Sequence, residues 1–244
     1  MQKNKSNMFP YGNFIVEIGK LFLHKPYKSG TLEGFTKEKL IVNVSAFDCT
    51  TFVETVLALA RCAVVGKCSN HEFRKHLKSI RYGNGKISGY SSRLHYFTDW
   101  LRDNEKKEVL TDITRRFNGT SQRKQINFMT AHRESYPALD SKKQFARMAI
   151  IEKNLSRRTV HIIEKDKVCA QMGKLANGDI IAFATHQEGL DVAHVGFALW
   201  EGKRLRLLHA SSEEGSVVIS KKTLAAYLRS NKKFTGIIVA RPLF

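Results

Sequence analysis

Cysteine and proline are scarce, and so are acidic residues and long apolar runs; each shortage narrows what this chain can be. Four cysteines stand among 244 residues. Cys49, Cys62, Cys68 and Cys169 show no C-x-x-C spacing, which argues against a structural zinc site, and four in a chain of this size make no disulfide framework. Spacing leaves a Cys62–Cys68 bond open, while Cys62 and Cys169 read as buried small hydrophobes. Only four prolines occur, and no repeat or Pro/Gly-rich linker breaks the chain, so residues 1–244 read as one domain. No stretch approaches the roughly 18 apolar residues of a membrane span. The opening ten residues are polar and lack the apolar centre of a secretory signal. A cytoplasmic protein and an exported one whose signal has been removed both fit.

Acidic residues number 22 against 41 Lys and Arg, for a net charge of +19. Such a field attracts polyanions: nucleic acid, acidic lipid or a carboxylate-rich cell wall. A nucleic-acid site gathers its basic residues into a stripe with aromatics. Here they are scattered in short groups such as Arg115–Arg116, Lys142–Lys143, Arg157–Arg158 and Lys221–Lys222, which read as a solvated cationic surface. No G-x-S-x-G elbow of a serine hydrolase is present. There are nine histidines, but His71 and His76 stand about 140° apart around a helix, a poor chelating pair. No metal and no cofactor are expected.

Ile15, Ile18, Leu21 and Phe22 fall at helical spacing, giving a first helix over 13–24. Phe52, Val53, Val56, Leu57 and Ala60 mark a second over 49–65, with Asp48 at the N-cap and Gly66 as the stop. Residues 69–168 read as mostly helical, from the stripe Leu94, Phe97, Leu101 and another at Phe145, Met148, Ala149, Ile151. From Gly178 the period becomes two, predicting strands at 180–184, 194–200, 205–210, 216–219 and 236–241, with a short helix at 223–228. Helices first and adjacent strands later indicate an α+β fold with an antiparallel sheet.

Cys49 falls in the first turn of the second helix. There the helix dipole and free N–H groups favour thiolate and can hold an oxyanion. Taken alone it reads first as a buried core residue. The strand pair adds weight. A tight hairpin with Glu201-Gly202 as its loop sets Trp200 opposite Lys203 and His194 opposite His209. A loop two residues longer keeps the histidines on one face as diagonal neighbours; a slip of one separates them. Gly196 and Ala198 share the face of His194 and are small enough for the cysteine-headed helix to pack there, leaving Val195, Phe197 and Leu199 as core on the other. This predicts a Cys–His–orienter triad, with His194 as general base and His209 fixing its tautomer. Arg93, His95 and Tyr96 form a polar-aromatic cluster opening a helix. At least one of Arg93 and His95 is expected to line the cleft, where a guanidinium suits a carboxylate-rich substrate.

Several stretches resemble the NlpC-type bacterial cell-wall hydrolases, which are papain-like: Pro26-Tyr27, Phe47-Asp48-Cys49-Thr50-Thr51-Phe52-Val53, His194-Val195-Gly196 and His209-Ala210. Within that superfamily the chain is most similar to the N-acetylmuramoyl-L-alanine amidase-like family. That likeness is carried by Gly30-Thr31-Leu32-Glu33, Ser92-Arg93-Leu94-His95-Tyr96-Phe97, Gly178-Asp179-Ile180-Ile181 and Gly189-Leu190-Asp191-Val192-Ala193-His194. The resemblance implies N-terminal helices packed on a C-terminal antiparallel sheet of about five strands, with 69–168 as a helical elaboration. It implies Tyr27 and Asp48 beside the nucleophile, Tyr27 helping to hold the oxyanion. It further implies hydrolysis of the amide between the lactyl group of N-acetylmuramic acid and L-alanine in peptidoglycan or muropeptides. The implied protein is a monomer working in the periplasm or cell envelope, with no nucleic-acid partner. Where the commoner endopeptidase branch has Asp-Cys-Ser-Gly, this chain has Asp48-Cys49-Thr50-Thr51. A D-glutamyl murein endopeptidase is the alternative, and a non-catalytic binder of anionic cell wall or nucleic acid the second.

Overall fold

The computed structural model describes residues 10–34, 37–66 and 68–244. Helix α1 (Pro10–Lys20) and helix α2 (Cys49–Val64) open it, followed by α3 (Asn70–Arg81) and α4 (Phe97–Lys106). The middle adds α5 (Phe128–Ala131), α6 (Lys142–Ser156) and α7 (Val168–Gln171), and α8 (Leu224–Ser230) comes late. Of the longer helices after α1, α2, α3 and α6 each have a local cap at their start. Ser69 accepts from the Glu72 N–H ahead of α3, and Ser141 from the Gln144 N–H ahead of α6. No helix among the described residues is long and apolar enough to cross a membrane.

The five expected C-terminal strands form as β4 (Ile180–Thr185), β5 (Val192–Glu201), β6 (Arg204–Ser211), β7 (Ser216–Ile219) and β8 (Phe234–Pro242). The sheet is nevertheless eight-stranded. Strands β1 (Leu110–Asp112), β2 (Thr120–Gln122) and β3 (Val160–Glu164) come from the segment expected to be helical. The order is β2-β3-β8-β4-β5-β6-β7, with β1 pairing β8 separately, all antiparallel. Strands of three to five residues carry too little alternation to be read against strong helical stripes; what makes them strands is pairing, β1 and β3 with the long β8 and β2 with β3.

Both faces of the sheet are covered. One carries Ile180, Ala182, Val195, Phe197, Leu199, Leu208 and Ala210, packed under α1 and α2. Phe52 of α2 meets Phe197 edge-on, with ring centroids 5.9 Å apart. The opposite face carries Ile181, Phe183, Ala198, Leu207, Ile237 and Val239, covered by Leu224 and Leu228 of α8. The expectation that α2 lies over Gly196 and Ala198 is therefore corrected. The bulky side of β5 takes the large apolar helix, and the small side takes the short one. α1 ends before Leu21, which is 75% exposed.

The β5–β6 hairpin also differs from expectation. Glu201 pairs with Arg204 and Phe197 with Leu208, so the loop is Gly202-Lys203 and the register moves by two. Gly202 has φ +57° and Lys203 is not left-handed, as in a type II′ turn, which wants glycine first. The expected loop would have put Glu201 at a positive φ. A shift of two preserves the face of every side chain.

No disulfide forms among the described residues; Cys62 is buried, but Cys169 is exposed, against expectation. Under α2 lies an enclosed ion pair: Arg81 Nε is 2.6 Å from Glu54 Oε2, with both side chains almost fully buried. A second guanidinium nitrogen donates to the Ile41 carbonyl at 2.6 Å. Removing the cation strands a buried carboxylate, so Arg81→Met should lower unfolding stability by about 3–5 kcal/mol in urea titration. The double variant Glu54→Leu/Arg81→Met should recover much of that loss; additive losses would show that the pair is not a unit.

Candidate active site

Cys49 is the first residue of α2, and its position is fixed by the turn around it. Asp48 Oδ1 accepts from the Thr51 N–H at 2.7 Å and from the Thr51 hydroxyl at 2.9 Å. The Asp48 N–H in turn donates to Thr51 Oγ1 at 3.0 Å. Threonine thus closes the capping box that Glu or Gln usually closes. Asp48 is committed to this cap. Tyr27 is tied in from the other side. Lys28 N donates to Phe47 O at 2.8 Å, Phe47 N to Pro26 O at 3.0 Å, and Tyr27 N to Gly215 O at 2.8 Å. Burial, then the Cys49 and Asp48 charges, push the Tyr27 phenol up to about 12, so it stays a hydrogen-bond donor.

His194 and His209 stand on the sheet face away from α2. His194 lies directly opposite Phe183 of β4. Continuing the hairpin register by one places Gly196 opposite His209, and His194 diagonal to it. A Cβ on Gly196 would sit 2.8 Å from the His209 Cβ. The missing side chain is the room through which His209 leans toward its neighbour. His194 Nε2 and His209 Nδ1 are 2.7 Å apart, their rings nearly perpendicular. Burial holds His194 down to about 3, assisted by His209, and holds His209 down to about 4. Both imidazoles are neutral at pH 7.

The Cys49 thiol meets the sheet at the backbone of Val195, the residue after His194. The β5–β6 ladder runs from Glu201 back to Phe197, and Val195 lies beyond its paired part. The Val195 backbone group acts on the Cys49 thiol, as do the Thr50 backbone and hydroxyl. Those groups draw its pKa down, but burial first and Asp48 second push it up, to about 12. Cys49 and His194 are each half-buried. Water access tempers the size of these shifts without changing their sign. The expected preference for thiolate at the helix start is thus outweighed, and the resting pair is thiol and imidazole. No hydrogen bond joins Cys49 to His194 in this structure; the nearest tie is through Val195, the residue after His194.

Sequence reasoning gave Asp191 no role, although it lies three residues before His194. The α4 start at Tyr96 lacks a side-chain cap. Asp191 Oδ2 supplies one from outside, accepting from Thr98 N at 2.7 Å and Thr98 Oγ1 at 2.8 Å. This ties the start of β5 to α4 and so helps fix where His194 stands. The signal was an Asp just ahead of a strand, but its partner is 93 positions away.

The Arg93, His95 and Tyr96 cluster divides. Arg93 is buried and its guanidinium is taken, 2.6 Å from Glu33 Oε1 and 2.8 Å from Glu38 Oε2. It lines a cavity of about 570 Å³ with Glu33, Glu38, Tyr90 and Gln144, a wall that does not include Cys49 or His194. His95 Nε2 lies 2.9 Å from the Tyr90 carbonyl oxygen, and burial holds its imidazole neutral. Tyr96 donates to Glu152 Oε1 at 2.6 Å and accepts from Met129 N at 2.9 Å, a structural link inside the middle segment. None of the three hydrogen-bonds to Cys49 or His194.

The profile of the family described as N-acetylmuramoyl-L-alanine amidase-like matches residues 17–237. No curated protein matches the sequence. Among solved structures, an N-acetylmuramoyl-L-alanine amidase from Bacteroides uniformis ATCC 8492 is 39% identical, with TM-score 0.91, covering 96% of this chain and 99% of its own. A Bacteroides fragilis protein provisionally named a xylanase is 42% identical, with TM-score 0.88, over 92% of this chain and 99% of its own. A Legionella pneumophila protein is 26% identical, with TM-score 0.73, over 96% and 89%.

A thiol held up and imidazoles held down give a defined pH response. Alkylation of Cys49 by iodoacetamide should rise about tenfold per pH unit from pH 6 to 9, without a plateau, since only the thiolate reacts. A plateau beginning below pH 7 would instead reveal a resting thiolate–imidazolium pair. Gly196→Ala should displace His209 and lower the melting temperature by several degrees, about 1–3 kcal/mol of overpacking; an unchanged melting curve would show that the close approach is not needed.

Proposed function

The chain belongs to the N-acetylmuramoyl-L-alanine amidase-like family, and on that premise we propose that it is a cysteine-dependent peptidoglycan hydrolase of the papain-like, NlpC type. It cuts the amide between the lactyl group of N-acetylmuramic acid and L-alanine. The observation that carries this reading is the 2.7 Å His194–His209 pair, held one residue from the strand backbone that faces the Cys49 thiol. On this reading Cys49 of α2 is the nucleophile, His194 of β5 the base and His209 of β6 the orienter.

The hydrogen bond between the two histidines sets the tautomer. For His194 to act as base through Nδ1, its Nε2 must carry the proton and donate to His209 Nδ1. His194 Nδ1 then takes the Cys49 proton as the sulfur attacks the lactyl carbonyl. The Cys49 backbone N–H and the Tyr27 hydroxyl stabilise the oxyanion. The tetrahedral intermediate collapses with cleavage of the C–N bond, and His194 passes its proton to the departing L-alanine amine. A water gives its proton to His194 and attacks the thioester, releasing the lactyl acid and the thiol. Starting from neutral partners, the site separates charge only as the carbonyl is attacked. Asp48 acts through the helix cap, and Arg93, His95 and Tyr96 hold the scaffold.

The charge of +19 suits an anionic wall or its fragments as substrate, and we place the protein's work outside the cytoplasm, as a monomer. The same machinery fits a D-glutamyl endopeptidase, so the product decides. Purified protein and defined muropeptides should yield, by mass, a stem peptide with a free L-alanine amine and a sugar with a free lactyl acid. Equal cleavage of sugar-free stem peptides, leaving L-Ala-D-Glu, would overturn the amidase reading. Cys49→Ala and His194→Ala should each lower kcat by about 10³-fold or more, and His209→Ala by about 10–10²-fold. Full activity in Cys49→Ala would end the cysteine mechanism.

A further inference from the structure

One aromatic ring meets both histidines from outside the strand pair. Tyr227 lies on α8, a seven-residue helix started by Thr223, whose hydroxyl accepts from Ala226 N at 3.4 Å. Leu224, Ala225 and Leu228 of that helix are buried, which seats α8 on the sheet and leaves Tyr227 beside the imidazoles. Its ring centroid is 5.3 Å from that of His209, at 73°, and 6.1 Å from that of His194, at 40°. Phe183 meets Tyr227 at 5.4 Å and His194 at 5.9 Å, and Phe234 stacks on Phe183 at 4.7 Å. Among the described residues Tyr227 is the one ring, other than the two imidazoles themselves, that touches both.

A hydrogen bond between two neutral imidazoles fixes their relative direction only if neither ring can turn away. The strand holds each Cβ, and Gly196, with no side chain, offers nothing to pack against. Phe183 flanks His194 alone, so a restraint common to both rings comes from above the face. We propose that Tyr227 is a positioning residue of this site: its ring pins the His194–His209 pair in one orientation and one tautomer. This rests on the cysteine-hydrolase reading above. The restraint comes from the ring, since the Tyr227 hydroxyl has no hydrogen-bond partner among the described residues. Burial, then Glu213 and Cys49, push that phenol up to about 12, so it is uncharged at working pH and adds no field of its own.

The ring and the hydroxyl can be separated. Tyr227→Phe should keep kcat and KM within about twofold, while Tyr227→Leu should lower kcat by about tenfold or more with KM within about twofold, as for a misplaced base. In the free protein, nitrogen-15 imidazole spectra at pH 7 should show a single tautomer for His194 and His209 in wild type and Tyr227→Phe. Tyr227→Leu should show averaged tautomers for the pair. Tyr227→Met serves if the leucine variant loses its cooperative melting transition. Unchanged imidazole spectra in the leucine or methionine variant would overturn the proposal, as would a phenylalanine variant as impaired as leucine. The spectra require no substrate. If Cys49→Ala proves active, the hydrolase reading fails on its own, while the spectra still decide whether Tyr227 positions the pair.

Discussion

Strand β5 is buried on both faces, and most of what matters here follows from that. Its odd-numbered face, Val195, Phe197 and Leu199, takes the apolar side of α2, fixing the helix that begins with Cys49. Its even-numbered face, His194, Gly196 and Ala198, is small and polar where the first is large and apolar. Period-two alternation lets one strand carry core packing on one side and a hydrogen-bonded imidazole pair on the other. The sulfur lies by the backbone of Val195, beyond the paired part of the β5–β6 ladder, where a strand N–H is free to face a side chain.

The electrostatics of the site run against the protein as a whole. The chain carries +19, yet the thiol and both imidazoles rest uncharged because burial disfavours their ionised forms. Several enclosed charges elsewhere are paired, Glu54 with Arg81, Asp179 with Arg241, and Arg93 with Glu33 and Glu38, while Glu152 and Asp191 are held by neutral donors. One of these pairings takes up Arg93, which the sequence offered for substrate recognition. A guanidinium already held by two carboxylates is a fixture of the scaffold.

Local caps and distant ones share the work of aiming the site. Asp48 and Thr51 form a box within one turn, and its pattern of a short polar acceptor three residues before a hydroxyl can be read along the chain. Asp191 performs the same service for α4 from the far end of the sequence. The two have the same chemistry, but only the first leaves a readable spacing. A residue that caps its own helix is legible; one that caps another element's helix is not.

The sequence by itself determined the helix that begins at Cys49, the short helix near 224, the five C-terminal strands and the shared face of His194 and His209, because these follow from periodicities of 3.6 and two. Even the misjudged hairpin loop preserved that face, since an error of two residues returns every side chain to its own side. It determined as well that Cys49 heads a capped helix. Tertiary structure alone decided that short segments near 110, 120 and 160 become strands, because their stability comes from pairing with β8 and β3. It decided which face of β5 receives α2, a choice set by side-chain bulk across two elements. It also brought Tyr227 over the imidazoles and turned Arg93 inward, since both depend on contacts between residues that no local spacing relates. The charge state of the thiol belongs to the same class: a helix start favours thiolate, and only the surrounding burial reverses that preference.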